Sequence, residues 1–333
     1  MELDIISMKR IYTAIAICIC MFVLAYPANA DTNRDVKHYL ELGQMMEFNA
    51  NLDAAQRAYA KVLSIDPNSL EAHRALARVD AQLGQLDQAA GELKCVIRLT
   101  PRDETALLEL CELLKKQGKA REAVQLLKSA CAYPHEGLKL ERELAFTYLE
   151  ADQPAKAADE FHFLITQQPD VVDNLVGLAM ADFRSGNENL AQSDIKKVLQ
   201  VNPNEPNALC LQADLALSHG AKDEAIGGYL KAIEISPSLS KPYLSLGNLY
   251  IDENQVEKAR DIFEKGMANC NPDADLLLGM AIVEERSKAA DQAIDLYQRA
   301  ASIEADPARK KEIRQRIKEI KLSLDATKSQ SIN

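Results

Sequence analysis

The chain has 333 residues, 47% hydrophobic and 27% charged, with few aromatics and no Trp, which is an ordinary composition for a soluble protein. Its net charge is −11, and the final segment 308–333 carries +5, leaving −16 on the remainder. An acidic body of that kind excludes nucleic acid as the expected partner, because phosphate contacts need clustered Lys and Arg.

At the N-terminus, Lys9-Arg10 precedes an uncharged apolar run from Ile11 to Tyr26, followed by Pro27-Ala28-Asn29-Ala30. A positive segment, an apolar run too short for the roughly 20 residues of a bilayer span and an Ala-x-Ala site read as a secretory signal over 1–30, cleaved after Ala30. The alternative is an uncleaved membrane anchor. Residues 31–35 then form a linker. Five cysteines remain after cleavage (Cys95, Cys111, Cys131, Cys210 and Cys270), an odd number without metal-type spacing. They read as small buried thiols, with a Cys95–Cys111 or Cys95–Cys131 bridge as the alternative.

From residue 36 onward one regularity governs the chain. Ala55, Ala89, Ala123, Ala157, Ala191, Ala225, Ala259 and Ala293 stand 34 residues apart without a slip. With each alanine placed at position 20 of its unit, the units start at 36, 70, 104, 138, 172, 206, 240 and 274. Position 24 is then Tyr59, Leu93, Leu127, Phe161, Ile195, Tyr229, Phe263 and Tyr297, four residues after the alanine and on the same helix face. Position 7 is Leu42, Leu76, Leu110, Leu144, Leu178, Gln212, Leu246 and Met280. Pro67, Pro101, Pro169, Pro203 and Pro237 recur at position 32, where a missing N–H stops a helix, while Pro134, Pro272 and Pro307 sit slightly out of register. Gly84, Gly118, Gly186 and Gly220 recur at position 15, where a left-handed cap is wanted. Each unit is therefore helix, short turn, helix, proline stop. A period in this range marks a helical solenoid, an architecture that binds partners.

In these residues the chain resembles the tetratricopeptide repeat family, whose pattern is W-x2-L-G-x2-Y, then A-x3-F, then P. Unit seven carries Tyr243, Leu246, Gly247, Tyr250, Ala259 and Phe263, and unit one carries Tyr39, Leu42, Gly43, Ala55, Tyr59 and Pro67. The resemblance covers 36–307 and implies an all-α, right-handed α-solenoid of eight helix-turn-helix repeats. It departs from the pattern where the Trp-type position is Leu or His and where position 8 is Ala or Cys.

Asp306-Pro307 opens a further helix over 308–326 with an apolar stripe of Ile313, Ile317, Ile320 and Leu324. The stripe reads as a cap for the open end of repeat eight, the alternative being a basic amphipathic helix for a membrane surface or an acidic partner. Residues 327–333 read as a disordered polar tail.

The motifs of catalysis are missing from this sequence: no Gly-rich phosphate loop, no G-x-S-x-G, no C-x-x-C and no H-E-x-x-H. His38, His73, His135, His162 and His219 include no helical ligand pair. The expectation is a protein that is not an enzyme and holds no metal or cofactor.

The family resemblance implies that the first helices line a concave groove, chiefly through positions 2, 5, 9, 12 and 13. In those rows Arg74, Arg78, Glu112, Lys115 and Lys116 form a charged stretch, followed by an apolar cluster of Phe146, Leu149, Val176, Met180 and Phe183. The expected partner site is that cluster, taking the hydrophobic anchors of a protein or peptide segment, with Arg74, Arg78 and Arg142 steering its acidic residues. Alternatively, positions 12 and 5 pack against the neighbouring helix. Neither a Lys/Asn carboxylate clamp nor an asparagine ladder occurs. The sequence thus points to an exported, periplasmic or secreted interaction scaffold in envelope assembly or export. The alternatives are an accessory subunit that recruits or regulates an enzyme such as a glycan synthase, and a membrane-tethered scaffold.

Overall fold

The computed structural model describes residues 32–132 and 137–331, with side chains described as far as Leu324. The expected signal segment, its cleavage site, Pro134 and His135 lie outside the described residues. Seventeen helices and no strands make up the described chain, an all-α repeat solenoid. No described helix is long and apolar enough to cross a membrane. The chain divides into two compact units, Met1–Leu113 and Leu114–Asn333.

In the first unit, α1 (32–48) pairs with α2 (Leu52–Ile65) and α3 (Leu70–Gln82) with α4 (Leu86–Leu99), and α5 (Glu104–Lys116) begins the third repeat. The second unit takes over within α5 and continues with α6 (Ala120–Cys131), then α7 (Lys139–Glu150) with α8 (Pro154–Gln167) and α9 (Val172–Arg184) with α10 (Glu188–Val201). It ends with α11 (Pro206–Ser218) and α12 (Lys222–Ile235), α13 (Ser240–Asp252) and α14 (Val256–Asn269), α15 (Ala274–Arg286) and α16 (Ala290–Ile303), and the long α17 (Pro307–Ser331).

All eight position-20 alanines are 0% exposed, and the position-24 side chains are 0–5% exposed. The small residue lets two helix backbones approach, and the large one four positions on fills the space beside the crossing. Position 8 obeys the same steric logic. A methyl on Gly247 would fall 2.4 Å from the Phe263 ring, and one on Gly43 would fall 2.4 Å from the Tyr59 ring. Phe161 instead finds its room across the repeat boundary, where a methyl on Gly177 would come within 2.2 Å of it. Gln212 breaks the position-7 row and is exposed, while its neighbour Leu211 is buried.

The punctuation is physical as well. α2, α4, α8, α10 and α12 each end two residues before a proline, and the intervening cap residue (Asp66, Thr100, Gln168, Asn202 or Ser236) has left the helical region, with ψ between 79° and 94°. The α region is disfavoured for a residue preceding proline. The left-handed cap between paired helices occurs in all eight repeats, at Gly84, Gly118, Gly186 and Gly220 and also at Ala50, Asp152, Asn254 and Lys288. The four non-glycine positions carry strain that the glycines avoid.

Ile313, Ile317 and Ile320 of α17 are buried in one core with Leu296, Tyr297, Ala300 and Ala301 of α16, so the apolar stripe caps repeat eight. Arg309 to Asp275 and Arg316 to Glu285 fasten the cap to α15. The helical backbone runs on to Ser331, through the polar stretch 327–331.

Candidate interaction surface

The first helix of each repeat supplies the rows singled out in the sequence, and most of their cations are taken up internally. In the first unit, Arg78 donates through Nε and Nη2 to Glu47 Oε1 and Oε2 at 2.6 and 2.8 Å, a forked pair between α3 and α1. Tyr59 Oη donates to the same carboxylate at 3.0 Å. The Arg78 guanidinium holds the Glu47 carboxyl below its usual range, while burial and the adjacent carboxylate push the Tyr59 phenol up to about 12. Arg74 is paired with Asp103, which at the same time caps α5 by accepting from the Ala106 N–H at 3.1 Å.

In the second unit, Arg142 on α7 donates through Nε to Asn174 Oδ1 at 3.0 Å and through Nη2 to Gln168 Oε1 at 2.7 Å. Lys115 reaches Glu143 at 2.8 Å and Glu150 at 3.4 Å. Lys241 lies 2.8 Å from Asp214, which also accepts from Tyr229 Oη at 2.6 Å. Arg286 donates to the Ile251 carbonyl at 2.5 Å. Arg78 and Arg142 are thus engaged as struts between successive repeats, and Arg74 is held by Asp103 at the end of its own repeat. The Lys241–Asp214–Tyr229 set and Arg286 were not singled out from sequence. A signal for such struts exists: Glu47/Arg78, Glu188/His219, Lys222/Glu253 and Glu285/Arg316 are all 31 residues apart, one repeat less three.

The apolar cluster divides in two. Leu149 and Val176 are 3% and 5% exposed and pack between helices, leaving almost no surface for a partner. Phe146, Met180 and Phe183 keep partly exposed edges. Phe146 meets Phe161 edge-on, with ring centroids 5.0 Å apart and planes at 74°, so a fully buried ring at position 24 supports it from behind. Met180 and Phe183 pack against Ala179, Ala191, Ile195, Leu211 and Leu215. Position 9 therefore presents an apolar edge in α7 and α9, while position 12 is buried in α7 and only partly so in α9. Cys95, Cys131, Cys210 and Cys270 are free thiols, and Cys111 and Cys210 are 0% exposed.

Helix pairs at a fixed period, an alanine crossing at position 20 and a turn cap in every repeat agree with the family matches. The tetratricopeptide repeat family matches at residues 49–94 and again at 244–309. The chain is a tetratricopeptide repeat protein. Residues 141–272, which overlap the second of those spans, match the family described as ChAPs (Chs5p-Arf1p-binding proteins). A tetratricopeptide repeat protein from Parabacteroides merdae is 22% identical, with a TM-score of 0.53 over 74% of this chain and 97% of that one. Yeast Tom70 is 12% identical, with a TM-score of 0.47 over 88% of this chain and 97% of that one. Human tetratricopeptide repeat protein 13 is 24% identical over 132 residues, which are 38% of this chain and 15% of that protein's length. Tetratricopeptide repeat proteins are generally non-catalytic scaffolds that bind protein or peptide partners.

Proposed function

We propose that this protein is an exported interaction scaffold that holds a protein or peptide segment against the first-helix face of α7 and α9. The observation that carries the reading is the set of partly exposed edges of Phe146, Met180 and Phe183 on those two helices, backed by the buried Phe161. Apolar edges held rigidly by a core are what a partner's hydrophobic anchors need. With Arg74, Arg78 and Arg142 occupied by internal partners, the partner is selected by apolar shape, and acidic residues contribute less than the sequence rows imply. The match of residues 141–272 to a family described by the proteins it binds supports a protein partner, since that span contains all three edges.

The signal-like segment 1–30 supports export, with envelope assembly or export as the setting, and no catalytic step is assigned to the chain. In the double variant Phe146→Asp/Phe183→Asp, capture of a partner from an envelope lysate is expected to be lost with helicity intact. Capture at the wild-type level would overturn the site. N-terminal sequencing of the mature protein tests export: a first residue of Asp31 is expected, and an intact N-terminus refutes cleavage.

A further inference from the structure

A cap and a basic surface are alternatives for α17 in the sequence, and the fold accommodates both. Ile313, Ile317 and Ile320 are buried against α16, which turns the opposite side of the helix to solvent. Lys311, Arg314, Lys318 and Lys321 occupy that side at spacings of three, four and three residues, and all four are exposed. From Lys311 to Lys321 the stripe runs about 15 Å along the helix axis.

Among the described residues, none of these four side chains has an ion-pair or hydrogen-bond partner. The two arginines beside them are committed: Arg309 to Asp275 and Glu304, and Arg316 to Glu285 and Glu319. Glu312 and Glu319 lie to one side of the stripe, and the next position in its series, 325, is Asp. Like charges three and four apart on a helix repel one another. Elsewhere the chain interleaves its cations with acids, as with Asp295 and Arg299 on α16. The row on α17 is therefore mildly destabilising by itself, and anions placed against it would relieve the repulsion.

The surroundings of the stripe define its occupant. Leu322, 69% exposed, is the one large apolar side chain that α17 exposes among the described residues, so a protein segment would find a single anchor there. Cations in a line on the outside of a helix meet a plane of anionic headgroups along their whole length, with Leu322 placed to dip into the headgroup boundary. The chain outside 308–333 carries −16, which an anionic surface repels, so contact is confined to α17. We propose that the outward face of α17 docks the protein electrostatically on an anionic lipid surface while its inward face keeps repeat eight capped. This site is separate from the face of α7 and α9, and neither depends on the other.

Co-sedimentation of the full chain with vesicles of phosphatidylglycerol and phosphatidylcholine in equal parts, and with phosphatidylcholine alone, tests the site. Binding is expected to favour the anionic vesicles and to fall with added salt, which screens the attraction. A cation near an anionic surface is worth about fivefold in partitioning, so Lys311→Gln/Lys318→Gln should weaken binding roughly 25-fold. Both side chains are exposed, and helicity and the urea midpoint should stay at wild-type values. Lys231→Gln/Lys265→Gln removes the same charge from exposed positions on α12 and α14 and should leave binding unchanged. Equal binding to the two kinds of vesicle overturns the site, and so does an equal loss in the two double variants. Wild-type binding to soluble polyglutamate without preference for the anionic vesicles would assign the stripe to an acidic polypeptide and overturn the lipid reading.

Discussion

Gly177→Ala is a small substitution that this packing turns into a large one. The added methyl would lie 2.2–2.7 Å from three atoms of the Phe161 ring, against an ordinary carbon contact of about 3.5–4.0 Å. The ring would have to withdraw by roughly 1 Å, yet Phe161 is 0% exposed and already meets Phe146 at 5.0 Å. Overpacking of this kind costs about 1–3 kcal/mol. Replacing a mid-helix glycine by alanine returns up to about 1 kcal/mol of helix propensity. The net expectation is a loss of about 1–2 kcal/mol. Gly227 on α12 provides the control in the same unit, because nothing lies within 4 Å of a methyl there. Gly227→Ala should therefore gain about 0.5–1 kcal/mol from the same chemical change. Urea unfolding followed by far-UV circular dichroism reads both variants. If Gly177→Ala is as stabilising as Gly227→Ala, the aromatic ring does not fill that space and the argument is wrong.

Ala50→Gly and Lys288→Gly relieve left-handed strain worth about 1–2 kcal/mol and give back part of it in chain entropy. Each should raise the urea midpoint by the equivalent of about 0.5–1 kcal/mol, and a lowered midpoint would contradict the cap geometry. Asp182 is buried and accepts from Asn187 Nδ2 at 3.2 Å; burial raises its pKa above 3.8, the nearby Asp194 carboxyl adds to the rise, and His162 opposes it. Asp194 itself is paired with Lys197 at 2.6 Å. A raised folded pKa means that the native state binds the proton more tightly, so this contribution is complete below the unfolded value and disappears as pH rises through the folded one. Relative to wild type, Asp182→Asn should therefore gain stability as pH rises from about 4 through that window; a pH-independent difference would refute the assignment.

The fold was open to reading because its signal is redundant. Eight alanines in fixed register, with a large residue four positions on, leave one helix face to bury, and the structure buries all eight. The apolar stripe of α17 was legible for the same reason. The left-handed caps were only half visible. Four of them are glycines, but Ala50, Asp152, Asn254 and Lys288 adopt the same conformation because the helix pair around them imposes it, and local composition does not record that pressure. The surface was harder. Position rows place Arg74, Arg78 and Arg142 on the right face, but a row does not say whether a neighbouring repeat supplies a carboxylate or amide within reach. Likewise Leu149 and Phe183 share position 12, and only packing shows the first buried and the second with a free edge.

This redistribution of charge and exposure sets the strength of the surface. Full burial of a Phe or Met side chain contributes about 1.5–3 kcal/mol, but Phe146, Met180 and Phe183 are already partly buried in the free protein. A partner can therefore recover only a fraction of that amount from each. Three such edges supply a few kcal/mol, which the loss of translational and rotational freedom on association largely offsets. The cations cannot make up the difference, because recruiting Arg142 to a partner's carboxylate would first break its bonds to Asn174 and Gln168. The buried Asn174 Oδ1 would lose its donor, beside an Nδ2 that already has no partner, at a cost of about 1–3 kcal/mol. A single short peptide on α7 and α9 should therefore bind weakly. Tight binding requires a longer segment that continues along α11, α13 and α15, where Leu244, Leu278 and Ile282 offer further partly exposed apolar edges.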